Sequence, residues 1–171
     1  MRLLGIVLRV ALVFLLAGVA VVAGTLIRNA PPLMDPPGPV MRLGTYLTTN
    51  SVTVHEHAMQ PELRPRLYDA PPETTWEAAR AAAERLQWEI TEADRDERTL
   101  AAVAESPFLR FRDEIRIEVQ PAEPELSTLR FRAHSRVGRG DLAMNTRHLL
   151  DFRQALRGEL NALLAENAAG E

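Results

Sequence analysis

The sequence predicts an α+β fold in which a four-stranded antiparallel sheet is flanked by two helices and preceded by an N-terminal transmembrane helix. Three observations lead to this prediction. An almost uninterrupted apolar run opens the chain. Four successive segments between residues 87 and 137 alternate apolar with polar residues, the pattern of half-buried strands joined by hairpin loops. Leucines at helical spacing then cover the C-terminal part.

The composition is that of one globular domain behind a hydrophobic segment. About 140 of the 171 residues follow that segment, a length typical of a single domain. The net charge of -3 argues against a nucleic-acid partner, because nucleic-acid-binding modules carry a basic excess on one face. The absence of cysteine excludes disulfides, thiolate metal sites and cysteine nucleophiles. We expect no cofactor.

Residues 1–28 are predicted to form a transmembrane anchor. The apolar run spans residues 3–27, and its part from Val10 to Ile27 is just long enough to cross about 30 Å of hydrocarbon. A cleavable signal peptide is the alternative, since a positively charged start and the small residues around Ala23 also fit one. The length of the run favours the uncleaved anchor.

The flanking charges predict how this anchor is oriented. Arg2 and Arg9 precede the core of the span and only Arg28 follows it closely, so the positive-inside rule places the N-terminus in the cytoplasm. The expected location is therefore the inner membrane, crossed once, with the domain in the periplasm.

Two segments connect the anchor to the domain. Residues 29–40 hold five prolines in twelve positions, which predicts a stiff, extended spacer that keeps the domain off the bilayer. Residues 41–70 show no clear period and are predicted to wrap around the domain, with short extended pieces at residues 46–49 and 51–54.

A pair of histidines in the wrapping segment raises the question of a metal site. His55 and His57 would point the same way on a strand, but an ion would need a further ligand from Asp69, His134 or His148. No spacing fixes the distance to any of these three, so we expect no metal.

The α+β domain is predicted to cover residues 71–166. Thr74 and Glu77 have the spacing of a capping box at the start of a helix that runs to about Leu86. Two strands follow, joined by a charged hairpin loop, and their predicted ranges are residues 87–91 and 99–105.

The third and fourth strands have the clearest alternation. Apolar and charged residues alternate over residues 109–119, where Asp113 alone interrupts the apolar side, and again over residues 129–137. An antiparallel hairpin between them brings Asp113 opposite His134 or Ser135.

The candidate site is the junction of the fourth strand with the last helix, residues 135–145, which we call the corner. Gly138 and Gly140 break the strand, and the carboxylate of Asp141 is placed to cap a helix that runs to about Ala165. Residues 167–171 are expected to fray.

The residues of the corner and the strands before it resemble a known bacterial family. LRFRDEIRI (residues 109–117) and FRAHSRVGRGDLAMN (residues 131–145), together with residues 59–68, are similar to the family called domain of unknown function 1499, and the likeness spans about residues 45–160. The resemblance implies a membrane segment but no established activity, cofactor or partner. Ala143 departs from the family pattern, which tends to have glycine there. The polar positions that match are Asp113, Arg132, Ser135, Arg136, Gly138, Asp141 and Asn145.

Two functions are compatible with these residues. The first is a non-catalytic envelope domain that binds a partner protein, a lipid head group or another anionic ligand, because anions favour guanidinium groups and the backbone amides of a helix start. The alternative is a hydrolase that uses Ser135 with Asp113 and His148. The predicted binding residues are Asp113, Arg132, Ser135, Arg136, Arg139, Asp141 and Asn145.

A purely structural role is the third interpretation of the same residues. Asp113 would then form an ion pair with Arg136, Asp141 would cap its helix, and Asn145 would tie down the loop.

Overall fold

A computed structural model describes residues 2–106 and 111–170. The described residues form four α-helices and six strands. The elements are α1 (Arg2–Asn29), α2 (Pro39–Thr48), β1 (Ser51–Thr53), β2 (Leu67–Tyr68), α3 (Pro72–Arg85), β3 (Glu89–Asp94), β4 (Thr99–Glu105), β5 (Arg112–Glu123), β6 (Leu126–Ser135) and α4 (Met144–Gly170), with a 3-10 turn at Pro61–Leu63.

The six strands form one antiparallel sheet in the order β1-β6-β5-β4-β3, and β2 also pairs with β6. The α+β class and the antiparallel sheet are confirmed, whereas the predicted number of four strands is wrong. Strands β1 and β2 come from the wrapping segment and add to the outer edge of β6. They are three and two residues long, too short to show an alternating pattern.

One face of the sheet forms the core. Ile115, Ile117 and Phe131 point from β5 and β6 toward α3 and α4 and are almost completely buried. Helix α3 lies close to the sheet because the side of the helix that faces it is rich in alanine. The buried alanines are Ala78, Ala79, Ala82 and Ala83. The other face of the sheet carries exposed charges.

Several predicted boundaries differ from those observed. Strand β3 begins at Glu89, two residues after its predicted start. The predicted first residues of the third strand, Leu109 and Arg110, lie outside the described residues. Helix α3 begins at Pro72, so the predicted capping box at Thr74 does not form. The hydroxyl of the neighbouring Thr75 instead shares a hydrogen bond with Ser127 of β6.

Helix α1 is long and apolar enough to cross a membrane. The most apolar window within its stretch Leu3–Asn29 has a mean hydropathy of 2.8, and none of that window is buried within the protein. In the last turns of α1, by contrast, the side chains of Leu26 and Asn29 are buried against the domain.

The end of α1 contacts the domain directly. Asn29 Nδ2 donates to the Leu142 carbonyl at 2.8 Å, and Leu26 packs with Tyr46 of α2 and Ala143 of the corner. Residues 46–48, predicted to be extended, belong to α2. The structure therefore corrects the expectation that residues 29–40 hold the domain away from the anchor.

Candidate functional site

The corner is held by Asp141, which caps α4 as predicted. Its Oδ1 accepts from the amide of Ala143 at 2.9 Å and its Oδ2 from the amide of Asn145 at 3.0 Å. Leu142 and Ala143 both adopt positive φ, 51° and 68°, a conformation that costs a residue with a side chain about 1–2 kcal/mol. A glycine at position 143, as in the family pattern, would adopt it without that cost.

Asn145 connects the corner to two other elements. Its side chain is fully buried, and its Nδ2 lies 2.9 Å from Ser135 Oγ, 3.0 Å from the Asn50 carbonyl and 2.7 Å from Asp141 Oδ2. Asn50 in turn donates to the Gly138 carbonyl at 2.8 Å. The end of β6, the start of β1 and the start of α4 are therefore joined by one buried polar network.

A buried carboxylate and imidazole lie beside this network. Asp113 is directly opposite Ser135 in the β5–β6 ladder, which confirms one of the two predicted registers. Asp113 is 1% exposed, and its Oδ2 lies 3.0 Å from His148 Nε2. Its Oδ1 is buried and has no hydrogen-bond partner in the part of the chain that the structure describes. The His148 ring meets Trp88 edge to face at 5.9 Å.

A cavity of about 470 Å³ lies between the end of α1 and the corner. Its volume is within the size range of small-molecule sites. Its walls are mostly apolar, and Asp113, Ser135 and Asp141 form its polar end. Helix α1 lines it with Ala20, Val21, Gly24, Thr25, Arg28 and Asn29, and the domain lines it with Ser106, Phe111, Asp113, Ser135, Val137, Gly138, Gly140, Asp141, Leu142 and Met144.

The three predicted anion-binding arginines lie away from this cavity. Arg132 and Arg136 are exposed on the face of β6 opposite Ser135, because successive side chains of a strand point to opposite faces. Arg136 donates to Glu114 at 2.8 Å, so the predicted pairing of Asp113 with Arg136 is wrong. Arg139 is exposed in the loop. The structure brings together Asp113, Ser135, Asp141 and Asn145 but not the arginines.

The predicted hydrolase residues are neighbours without the hydrogen bonds of a nucleophile and its base. Ser135 Oγ accepts from Asn145, and His148 Nε2 is bonded to Asp113. Within the described residues, His148 makes no hydrogen bond to Ser135. His55 and His57, which were considered as metal ligands from the sequence and set aside, are both exposed. No group of three His, Cys, Asp or Glu side chains that could hold a metal ion occurs among the described residues.

Sequence reasoning missed a buried ion pair beneath the corner. Arg42 of α2 is 0% exposed and binds Glu62 through two hydrogen bonds of 2.5 and 2.9 Å. The bond to Glu62 raises the pKa of Arg42, although burial opposes this, so the guanidinium stays charged. Arg42 Nη1 also lies 2.9 Å from the Tyr46 hydroxyl. One signal was available: Arg42 is the only charged residue between Asp35 and Glu56 when histidine is counted as neutral.

The cap of α4 predicts a pH dependence. Burial raises the pKa of Asp141 above its ordinary 3.8, while hydrogen bonds from Asn145 and Ala143 oppose the rise. The native state therefore holds this proton to higher pH than the unfolded state, and the contribution of Asp141 to stability falls as the pH rises through that window. We expect the stability advantage of the wild type over Asp141→Asn to shrink as the pH rises above the ordinary pKa of an aspartate, about 3.9. Denaturant unfolding in detergent micelles measures it, and an advantage that grows with pH would contradict the assignment.

Comparisons with known proteins identify a family match and distant structural likenesses, two of which are described here. A family model described as "Protein of unknown function (DUF1499)" matches residues 44–156. A solution NMR structure from Thermobifida fusca has 12% identity and a TM-score of 0.38, covering 52% of this chain and 74% of that one. The di-domain ARO/CYC BexL from the BE-7585A biosynthetic pathway has 15% identity and a TM-score of 0.41, covering 67% and 45%. A search of curated proteins gave no match. Both structural likenesses are too distant to indicate a function.

Proposed function

Because the chain belongs to the DUF1499 family, whose description names no reaction, we propose its function from the cavity: it is a membrane-anchored domain that binds an uncharged amphiphile between α1 and the corner. The observation that carries the proposal is an apolar cavity with a buried carboxylate oxygen at its polar end, Asp113 Oδ1, that has no hydrogen-bond partner among the described residues. This uncharged ligand replaces the partner protein, lipid head group or other anionic ligand that the sequence led us to expect.

The position of the cavity supports a ligand that comes from the bilayer. We place α1 across the inner membrane with its N-terminus in the cytoplasm and the domain in the periplasm, following the flanking arginines. The cavity runs along α1 from Ala20 to Asn29, about 14 Å of helix. If Arg28 lies at the head groups, this length reaches into the outer half of the hydrocarbon. An acyl chain can then enter sideways without crossing water.

The charges of the cavity favour a hydrogen-bond donor over an anion. Arg28 lines the wall that α1 provides, but Asp113 and Asp141 both line the polar end, and carboxylates only accept hydrogen bonds when ionised. A phosphate would meet their repulsion, while Arg132 and Arg136 are directed to the opposite face. A hydroxyl or amide head group would instead supply the donor that Asp113 Oδ1 lacks.

The hydrolase is the second candidate, favoured by one observation. Asp113 and Ser135 line the polar end of the cavity, and His148 is hydrogen-bonded to Asp113, so the three residue types that a reaction on a bound ester would need are neighbours. Movement of His148 onto Ser135 would have to break its present bond to Asp113. Release of a fatty acid from a bound ester that disappears in Ser135→Ala would favour this role over binding alone.

The binding proposal predicts the effect of filling the cavity. Gly24→Leu introduces a side chain into the lining of α1, where nothing lies within 4 Å of an added Cβ. We expect it to reduce labelling by a diacylglycerol that carries a diazirine in one acyl chain, in phosphatidylcholine vesicles, by about tenfold, the equivalent of about 1.4 kcal/mol of binding free energy. The measurement is the covalently labelled fraction of the full chain after irradiation.

Gly18→Leu is the matched control. Gly18 lies on the same helix, its added Cβ also meets nothing within 4 Å, and it does not line the cavity. We expect this variant to be labelled like the wild type. Equal labelling of both variants would rule out the cavity as the binding site. Stronger labelling by the corresponding phosphatidic acid would restore the anionic ligand in place of the neutral one.

A further inference from the structure

Helix α2 exposes an apolar face to its surroundings. Val40 is 84% exposed, and Met41, Leu43 and Leu47 are exposed beside it. The single charged residue of α2, Arg42, is completely buried, so the outer face carries no charge. A helix surrounded by water normally presents charged or polar groups on its outer face, and an exposed apolar patch marks a contact surface.

The opposite face of α2 fixes it beside the end of α1. Tyr46 is buried against Leu26 of α1 and Ala143 of the corner, and Arg42 is held by Glu62. Leu26 precedes the end of α1 at Asn29 by three residues, about 5 Å along the helix axis. Helix α2 is therefore mounted at the level where a membrane-spanning α1 would leave the hydrocarbon.

We propose that the outer face of α2 lies in the interfacial layer of the same bilayer that α1 crosses, as a second membrane contact. The occupant of this face is the lipid surface, because α1 of the same chain holds α2 at that level and no charge on the face opposes burial among acyl chains. A helix in this position sets the depth and tilt of the corner relative to the bilayer.

The same contact defines where the cavity opens. The exposed Phe111 and Val137 line the cavity, and a corner held at this depth presents them to the acyl chains rather than to water. The inference depends on α1 spanning the bilayer but not on any ligand in the cavity, so it can fail or hold independently of the binding proposal.

The absence of cysteine allows a clean test with single labels on the full chain. Val40→Cys and Leu47→Cys carry a nitroxide in phosphatidylcholine vesicles, and electron paramagnetic resonance measures collisions with oxygen and with a water-soluble nickel chelate. Glu125→Cys, in the exposed turn between β5 and β6, is the water reference, and Leu12→Cys in α1 is the lipid reference. We expect the oxygen-to-chelate ratio at both α2 positions to exceed that at Glu125→Cys by about threefold or more.

Two results would overturn the inference. One is an α2 ratio equal to that of Glu125→Cys while Leu12→Cys reports lipid, because α2 would then lie in water. The other is spin–spin broadening at Val40→Cys that disappears on dilution with unlabelled chain, which would assign the face to a second copy. Repeating the measurement in Gly24→Leu separates the two proposals, because filling the cavity should leave the α2 ratio unchanged.

Discussion

Replacing Glu62 with alanine is expected to lower the free energy of unfolding by about 3–5 kcal/mol, because it strands the charged guanidinium of Arg42. Arg42 is completely buried, and it donates hydrogen bonds to both carboxylate oxygens of Glu62. Because a guanidinium is effectively always protonated in proteins, the side chain cannot relieve its isolation by losing a proton. Chemical denaturation of the full chain in detergent micelles measures the loss.

An exposed ion pair provides the control for this prediction. Glu84 pairs with Arg80 at 2.6 Å on the surface of α3, and Glu84→Ala should cost about 0.3–0.5 kcal/mol. A double variant, Arg42→Met with Glu62→Met, removes both charges and should recover most of the loss. If Glu62→Ala costs no more than Glu84→Ala, the buried pair is not what holds α2 to the domain.

Replacing Gly140 with alanine is expected to cost about 3 kcal/mol, the upper part of the range for overpacking. An added methyl group would overlap the carbonyl of Leu47 and lie 2.8 Å from the carbonyl oxygen of Tyr46. Both neighbours are backbone atoms of α2, so no side-chain rotation relieves the overlap. The corner must then separate from α2, which also loosens the contact of Tyr46 with Leu26 of α1. Thermal unfolding monitored by circular dichroism measures the change.

Gly158→Ala is the control for the Gly140 substitution. Gly158 lies inside α4, and the nearest atom to its added methyl group, apart from the backbone of its own helix, would be in the guanidinium of Arg85 at 3.9 Å. Because alanine favours the helix more than glycine does, we expect a gain of about 0.5–1 kcal/mol. A loss at Gly140 no larger than about 0.5 kcal/mol would mean that the corner and α2 are not in close contact.

The sheet could be predicted because its burial pattern is local. The alternation around Ile115 and Phe131 gives the strand, its buried face and, through the hairpin, the pairing of Asp113 with Ser135. The cap by Asp141 was predictable for the same reason, since its partners are only two and four residues away.

The long-range contacts of the site could not be read in this way. Asn145 reaches Asn50 across 95 residues, and Asn29 reaches Leu142 across 113. Nothing in the local pattern specifies such partners. The proline-rich stretch was predicted as extended, yet Pro39 occupies the first turn of α2, where the missing amide hydrogen of proline costs nothing. Arg132 and Arg136 were assigned to the same site as Ser135 because they are close to it in the sequence. Successive side chains of a strand point to opposite faces, however, and this separates both arginines from Ser135.

The position of the photoadduct tests the central claim most directly, namely that the space between α1 and the corner holds an amphiphile. After irradiation of the full chain with the diazirine diacylglycerol, peptide mass spectrometry locates the modified residues. We expect adducts on residues 20–29 and 137–144, absent in Gly24→Leu and retained in Gly18→Leu. Adducts confined to the outer surface of α1 before residue 20, and equal in both variants, would contradict it.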